Sequence, residues 1–184
     1  MAEIEPAGIL RGEWLNARGA IARFERSAIE LRLSDTQECP QADVAVAWAL
    51  SSVVRALTEE RWASAAEQRG FSTERLAALL VATTEHGPAA PLGDPGYVRA
   101  LGWRGPGGPT AGELWQALIE DTVASDARTS TELLRPLQVI TRHGTLSQRI
   151  LAALGDHPSR SRMQTVYHEL CDCLAQGRLF HGLA

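Results

Sequence analysis

The segment that most constrains this chain is Ile29-Glu30-Leu31-Arg32-Leu33, which alternates apolar and charged residues with a period of two. In an extended strand that period places Ile29, Leu31 and Leu33 on one face and Glu30, Arg32 and Ser34 on the other. The apolar face is expected to be core, which leaves the charged face available for chemistry. Upstream, Ala20 to Phe24 forms a second extended run, and Glu25-Arg26-Ser27 is short and polar enough to join the two as a hairpin. By pattern alone, Glu30 and Arg32 read first as the solvated face of an antiparallel strand.

After the polar turn Asp35-Thr36-Gln37-Glu38, the period changes to that of helices. Pro40 suits a first helical position and Asp43 a first turn, because a missing N–H costs nothing there and negative charge favours the helix dipole. A long helix follows, with Val44, Ala47, Trp48, Ser51, Val54, Arg55 and Leu57 as its expected apolar stripe, continuing or restarting to a left-handed stop at Gly70. Ser72 is expected to cap the next helix, with Leu76, Leu79 and Leu80 on its buried side and Gly87-Pro88 at its end. A Gly/Pro-rich connection spans residues 87–109, broken by one short turn around Tyr97, and its length marks it as functional or mobile.

Four pairs with capping-box spacing then mark helix starts: Thr110 with Glu113, Thr129 with Glu132, Thr145 with Gln148, and Ser161 with Gln164. Leu114, Trp115, Leu118 and Ile119 are the expected buried residues of the first, and Pro136 should kink the second or delay its start. The last helix is expected to bury Met163, Val166, Tyr167, Leu170 and Leu174 and to stop at Gly177. The expected fold class is α+β: one domain over residues 1–184, with a short antiparallel hairpin at 16–38 and about six helices over 40–184.

Composition narrows the function. A formal charge of -4 and a pI near 5.7 oppose general nucleic-acid binding, which needs a basic surface to displace counterions. Lysine is absent, and all 18 basic residues other than histidine are arginine. The amino terminus carries no secretory pattern, no apolar run reaches the ~20 residues that cross a bilayer, and three cysteines fit free thiols. These features give the expectation of a cytoplasmic protein with no membrane and no nucleic-acid partner.

The run NARGAIARFERSAIELRLSDTQECPQAD, from Asn16 to Asp43, resembles the corresponding segment of the second glutamate-cysteine ligase family, the carboxylate-amine ligases. The resemblance continues through ERWASAAEQ, GYVRALGW, TAGELW and DCLAQGRLF, and rests chiefly on Ile29–Leu33 with Asp35, Gln37 and Glu38. It implies an ATP-dependent enzyme that forms an acyl phosphate, which an amine then attacks. It implies Glu30 as a Mg²⁺ ligand, Arg32 as the contact to ATP phosphate or the acyl phosphate, and Arg18 as a further neutralising group. The implied fold is an antiparallel sheet with a concave active face wrapped by helices.

Family members also carry an amino-terminal half with a glutamate-rich strand and a histidine-containing strand, neither of which occurs in this sequence. The chain is therefore expected to work as part of a ligase, completed by a partner chain or a homo-oligomer. The alternative is a non-catalytic helical interaction or scaffold protein descended from such an enzyme.

Other constellations are weaker. Gly102–Thr110 leads into a helix but lacks the lysine and preceding strand of a phosphate loop. His168, Cys171 and Cys173 have metal-capable chemistry, although helical spacing swings 173 away. Cys39 has no evident base beside it, and His86 and His143 each precede a helix-ending glycine.

Overall fold

The computed structural model describes residues 19–183. It is a helix-rich α+β chain with a two-stranded antiparallel sheet and eight α-helices among the described residues. Two compact units divide it, Met1–Thr36 and Gln37–Ala184.

In the first unit, β1 (Ala20–Arg23) pairs with β2 (Ala28–Leu31) in the register Ala20 to Leu31, Ile21 to Glu30, Ala22 to Ile29 and Arg23 to Ala28. Phe24–Arg26 forms a 3-10 turn, and Ser27, at φ 49°, supplies the left-handed residue that returns the chain. The turn thus begins at Phe24, one residue earlier than expected, and the second strand ends two residues before Leu33. The alternation holds but the burial does not. Ile29, Leu31 and Leu33 are 64%, 42% and 67% exposed, while Ile21, which shares a face with Glu30, is buried.

The second unit begins with α1 (Pro40–Thr58), which has Pro40 at its start. The Asp43 carboxylate accepts from the Gln37 amide at 2.8 Å. Its buried face is Ala42, Ala45, Ala49, Ser52, Val53 and Ala56, rather than the stripe expected from the larger residues. Val44, Ala47 and Ser51 are exposed. The reason is spacing: an alanine row lets another helix backbone approach closely, so side-chain size was a poor guide to the packed face.

That row packs on α6 (Thr131–His143), where Ala45 and Ala49 cluster with Leu137 of that helix and with Val123 from the segment before it. Pro136 lies inside α6 and is fully buried. Proline cannot donate to the Glu132 carbonyl four residues back; Gln41 Nε2 donates to that oxygen instead, at 3.1 Å. The helix therefore starts at Thr131 without waiting for the proline.

Short α2 (Ala65–Arg69) is opened by a capping box of Ser64 and Glu67 and ends at Gly70 in right-handed geometry, not the left-handed stop expected. α3 (Thr73–His86) is capped by Ser72 as expected but has no fully buried residue, and Leu76 and Leu80 are each 41% exposed. Residues 87–109 are anchored rather than loose. Leu92 N–H donates to Pro109 C=O at 2.8 Å and Ala111 N–H to Ala90 C=O at 2.9 Å, while Ala90 and Leu92 enter the core with Val53, Val98, Leu114 and Leu118. At Gly102, φ is +81° and an added Cβ would lie 2.6 Å from the Trp62 ring, so only glycine fits this turn.

α4 (Pro95–Ala100) is capped by Asp94, and α5 (Ala111–Leu118) by the Thr110–Glu113 box. A π-helical turn, Ile119–Ala124, follows directly. Such a turn misaligns backbone acceptors, and here hydroxyls reach back to them: Thr122 Oγ1 donates to Leu118 C=O at 2.7 Å, and Ser125 Oγ to Asp121 C=O. α7 (Leu146–Leu154) has the Thr145–Gln148 box, but α6 is capped by Ser130 and α8 (Arg160–Gln176) by Ser159, so one expected box sits one residue early and another two residues late. In α8 the buried residues are Val166 and Cys173, with Tyr167 and Leu174 exposed. Trp115 of α5 likewise faces outward more than expected, at 37% exposed.

A buried ion pair joins the ends of this unit. Glu38, just before α1, accepts from Arg149 Nη1 of α7 at 2.7 Å and from the Phe180 amide at 3.1 Å, while Arg149 also donates to the Phe180 and Gly144 carbonyls. The side chains are 0% and 4% exposed. Burial opposes the Glu38 charge, yet the hydrogen bonds from Arg149 and the Phe180 amide hold its carboxyl below the ordinary glutamate range.

Removing one partner strands a buried charge, so Glu38→Ala or Arg149→Ala should each cost about 3–5 kcal/mol in urea unfolding. Because the folded-state carboxyl titrates low, the contribution is complete above the unfolded-state pKa and is lost as pH falls through the folded one. The double variant Glu38→Leu/Arg149→Met should therefore show a shallower loss of stability on the acid limb than the natural chain.

Candidate functional site

The charged face of the hairpin is built by the strand register. Glu30 stands opposite Ile21, Arg32 lies two residues on along the same face, and Arg23 shares that face from β1. Arg32 Nε donates to Glu30 Oε1 at 2.7 Å, and Arg23 Nη1 lies 3.5 Å from Glu30 Oε2. Each carboxylate oxygen therefore has a guanidinium beside it. The Arg32 amide donates to Gly19 C=O at 2.9 Å, extending the pairing one residue past each strand.

The hydrogen bond from Arg32 is the main cause that holds the Glu30 carboxyl below the ordinary glutamate range, and the positive charges of Arg32, Arg23 and Arg26 act in the same direction. The site is thus a half-exposed carboxylate flanked by two guanidiniums, Arg23 and Arg32, with Arg26 adding charge from the turn. Such a set suits an oxyanion, since Arg presents planar donors matched to phosphate and carboxylate oxygens.

The same set does not suit Mg²⁺. That ion needs near-octahedral oxygen coordination, and here one carboxylate is already engaged by cations on both oxygens. Among the described residues, no group of three or more His, Cys, Asp or Glu could hold a metal ion. Glu30 acts in this geometry as the counter-ion that holds Arg23 and Arg32 in place.

Arg18, the third expected site residue, lies outside the described residues. Asp35 and the amide of Gln37 follow the strand, but Glu38 is withdrawn into the ion pair with Arg149 and faces no ligand. The Gly102–Thr110 segment does not cradle an anion: the first turn of α5 is satisfied by its own capping box, and Trp103 Nε1 donates to Gly107 C=O at 3.2 Å. Cys173 is buried, which pushes its thiol up, while Cys171 is exposed, so the two do not converge with His168 on one point.

Sequence reasoning missed the pairing of Arg23 with Glu30. The signal available for it was the hairpin register, which puts residues 21 and 30 opposite and so brings 23 to the same face. It also missed Arg149, for which 111 intervening residues carry no local signal.

No family model matches the chain, and no solved structure matches it. A stretch of 54 residues is 43% identical to an uncharacterized protein of Archaeoglobus fulgidus, covering 29% of this chain and 15% of that protein. The chain thus matches a small part of a longer relative. No described helix is long and apolar enough to cross a membrane.

The Glu30 carboxyl should titrate below the ordinary glutamate value in a carbon-detected NMR pH series, and Arg32→Ala should return it most of the way, with Arg23→Ala giving a smaller return. An ordinary midpoint in the natural chain would show that the guanidiniums do not enclose the carboxylate in solution.

Proposed function

We propose that this chain is one part of an ATP-dependent carboxylate-amine ligase, with the hairpin as the phosphate-facing strand pair of a larger antiparallel sheet. The observation that carries the reading is the Arg23–Glu30–Arg32 cluster on one face of a two-stranded sheet whose other face, Ile29, Leu31 and Leu33, is exposed. A charged working face backed by an apolar face is the arrangement of a strand inside a layered sheet, and two strands are too few to be stable alone. The ligase assignment itself rests on the resemblance of Asn16–Asp43.

In this reading the substrate carboxylate attacks the terminal phosphorus of ATP, ADP leaves, and an amine displaces phosphate from the acyl phosphate to form the amide. Arg32, with Arg23 beside it, would neutralise the phosphoryl oxygens, on which charge is concentrated. Arg18 belongs to the same neutralising set by resemblance. Glu30 keeps the guanidiniums oriented. A partner chain, or a second copy of this one, would add the strands that complete the sheet and the acidic ligands for Mg²⁺.

A second reading is favoured by the same exposed apolar face together with Phe24 at the hairpin tip, 84% exposed. A protein that kept this fold and lost the reaction would use that face for association alone.

Calorimetric titration with ATP, with and without Mg²⁺, separates these readings. The ligase reading expects Arg32→Ala to weaken ATP binding tenfold or more in both conditions. It expects Glu30→Ala to change binding equally with and without Mg²⁺, because Glu30 orients arginines. Weakening by Glu30→Ala only when Mg²⁺ is present would reassign Glu30 as a metal ligand. Absence of ATP binding to the chain, alone and in association, would favour the scaffold.

A further inference from the structure

Main-chain hydrogen bonds decide which residues of β2 face β1 and which face away. The Arg32 amide donates to Gly19 C=O at 2.9 Å, and an antiparallel ladder alternates, so Glu30 opposite Ile21 and Ala28 opposite Arg23 also bond to β1. Ile29 and Leu31 therefore turn their N–H and C=O groups outward. Among the described residues the sheet ends at β2, and no further strand pairs with that edge.

An open edge is a template for another strand, and the side chains along it restrict which strand fits. Ile29-Glu30-Leu31-Arg32-Leu33 reads apolar, acidic, apolar, basic, apolar, so it is symmetric in hydropathy about Leu31 and inverts in charge across that residue. Laid antiparallel on a copy of itself with Leu31 opposite Leu31, it sets Glu30 against Arg32 and Arg32 against Glu30. Leu31 then takes the hydrogen-bonded position that its outward amide and carbonyl require. Both charge pairs fall at the non-hydrogen-bonded positions, where opposed side chains lie closest.

Other pairings lack this match. A parallel copy in register sets like charges side by side, which opposes pairing. The outer edge of β1 presents Ala20 and Ala22, and Arg23 is the one charge on that strand, so it offers no complementary pair.

We infer that the outer edge of β2 docks the same edge of a second copy of this chain, closing a two-fold antiparallel sheet of four strands with the two β2 strands at its centre. Glu30 already accepts from Arg32 of its own strand at 2.7 Å. Across the axis it gains the Arg32 guanidinium of the second copy, so the four charges alternate in sign. On the other face Ile29 and Leu31, 64% and 42% exposed, gain apolar neighbours from the second copy. Four strands also exceed the three or so that a sheet needs to stand by itself. The inference names the partner that the proposed function leaves open, and it rests on that reading only in taking the hairpin as part of a larger sheet.

Sedimentation velocity of the full chain over a concentration series, joined to amide hydrogen exchange, is the test. A monomer–dimer equilibrium is expected, and the Leu31 amide, which points away from β1, should exchange at least tenfold more slowly in the dimer. Glu30→Arg and Arg32→Glu each set like charges across the axis, and each should weaken self-association tenfold or more. Mixed in equal amounts, the two variants meet with opposite charges at both positions, so a heterodimer should recover most of the natural affinity. A chain that stays monomeric throughout overturns the inference, as does a dimer whose Leu31 amide exchanges at the monomer rate or that neither variant weakens. Loss without recovery on mixing, in variants whose β1–β2 amides stay protected, overturns it too. No nucleotide enters these measurements. A dimer that binds no ATP therefore sinks the ligase reading alone, and a monomer that binds ATP sinks this inference alone.

Discussion

The helical unit depends on one buried ion pair. Glu38 precedes α1, Arg149 belongs to α7, and Phe180 follows α8, so a single charged node closes the start, middle and end of the unit. The chain around the node divides between two cores. Leu179 packs with Cys39, Ala42 and Val139, while Phe180 packs with Ala153, Val166 and Cys173. Gly177, at φ +65°, turns the chain out of α8 so that these adjacent residues can serve opposite sides. A buried pair of this kind is a weak source of net stability, because desolvation offsets most of the attraction. Its effect is to penalise every arrangement that separates the three segments, and that is a constraint on geometry.

α1 carries that constraint from one end of the unit to the other. Its alanine face seats α6 at Ala45 and Ala49, and further along Val53 enters the core formed with α5 and the 87–109 segment. At Ser52 the packed face gives way to an open cleft lined by Arg55 and the turn at 125–128. The position of the α1 residues that line the cleft is therefore inherited from close helix packing about one to three turns away. An alanine enlarged at position 45 or 49 would displace α6 before it touched any cleft residue.

Local chemistry was legible in the sequence where a side chain bonds its own backbone. The boxes at Thr110 and Thr145, the Ser72 cap and the Gly177 stop are each decided within four residues, and each stands where expected. Faces were less legible. In α1, Val44 looked like core and Ala45 is core, because the partner helix selects small residues by distance of approach. Ser130 and Ser159 outcompeted the neighbouring Thr129 and Ser161, a choice between adjacent hydroxyls that propensity does not separate. The Glu30–Arg32 pair was readable from a period of two, whereas Arg23 needed the register, and the π-helical turn left no periodic trace. Arg149 needed the fold itself.

The hairpin presents the opposite problem. Its sequence alternation is regular, yet its apolar side faces outward and its charged side is the more sheltered, with Arg23 and Arg32 side chains 19% and 21% exposed. Four-residue strands joined by one turn gain too little from their own main-chain hydrogen bonds to hold that orientation against water. Ile29 and Leu33 sacrifice most, and Leu31 somewhat less than half, of the burial free energy that an inward face would give, about 1.5–3 kcal/mol for a fully buried residue of this type. Three such residues on one face of one strand are more than a hairpin of this size can offset. That imbalance is what the proposed reading resolves: a cover over the apolar face would leave the charged cluster as the inner wall of the completed sheet.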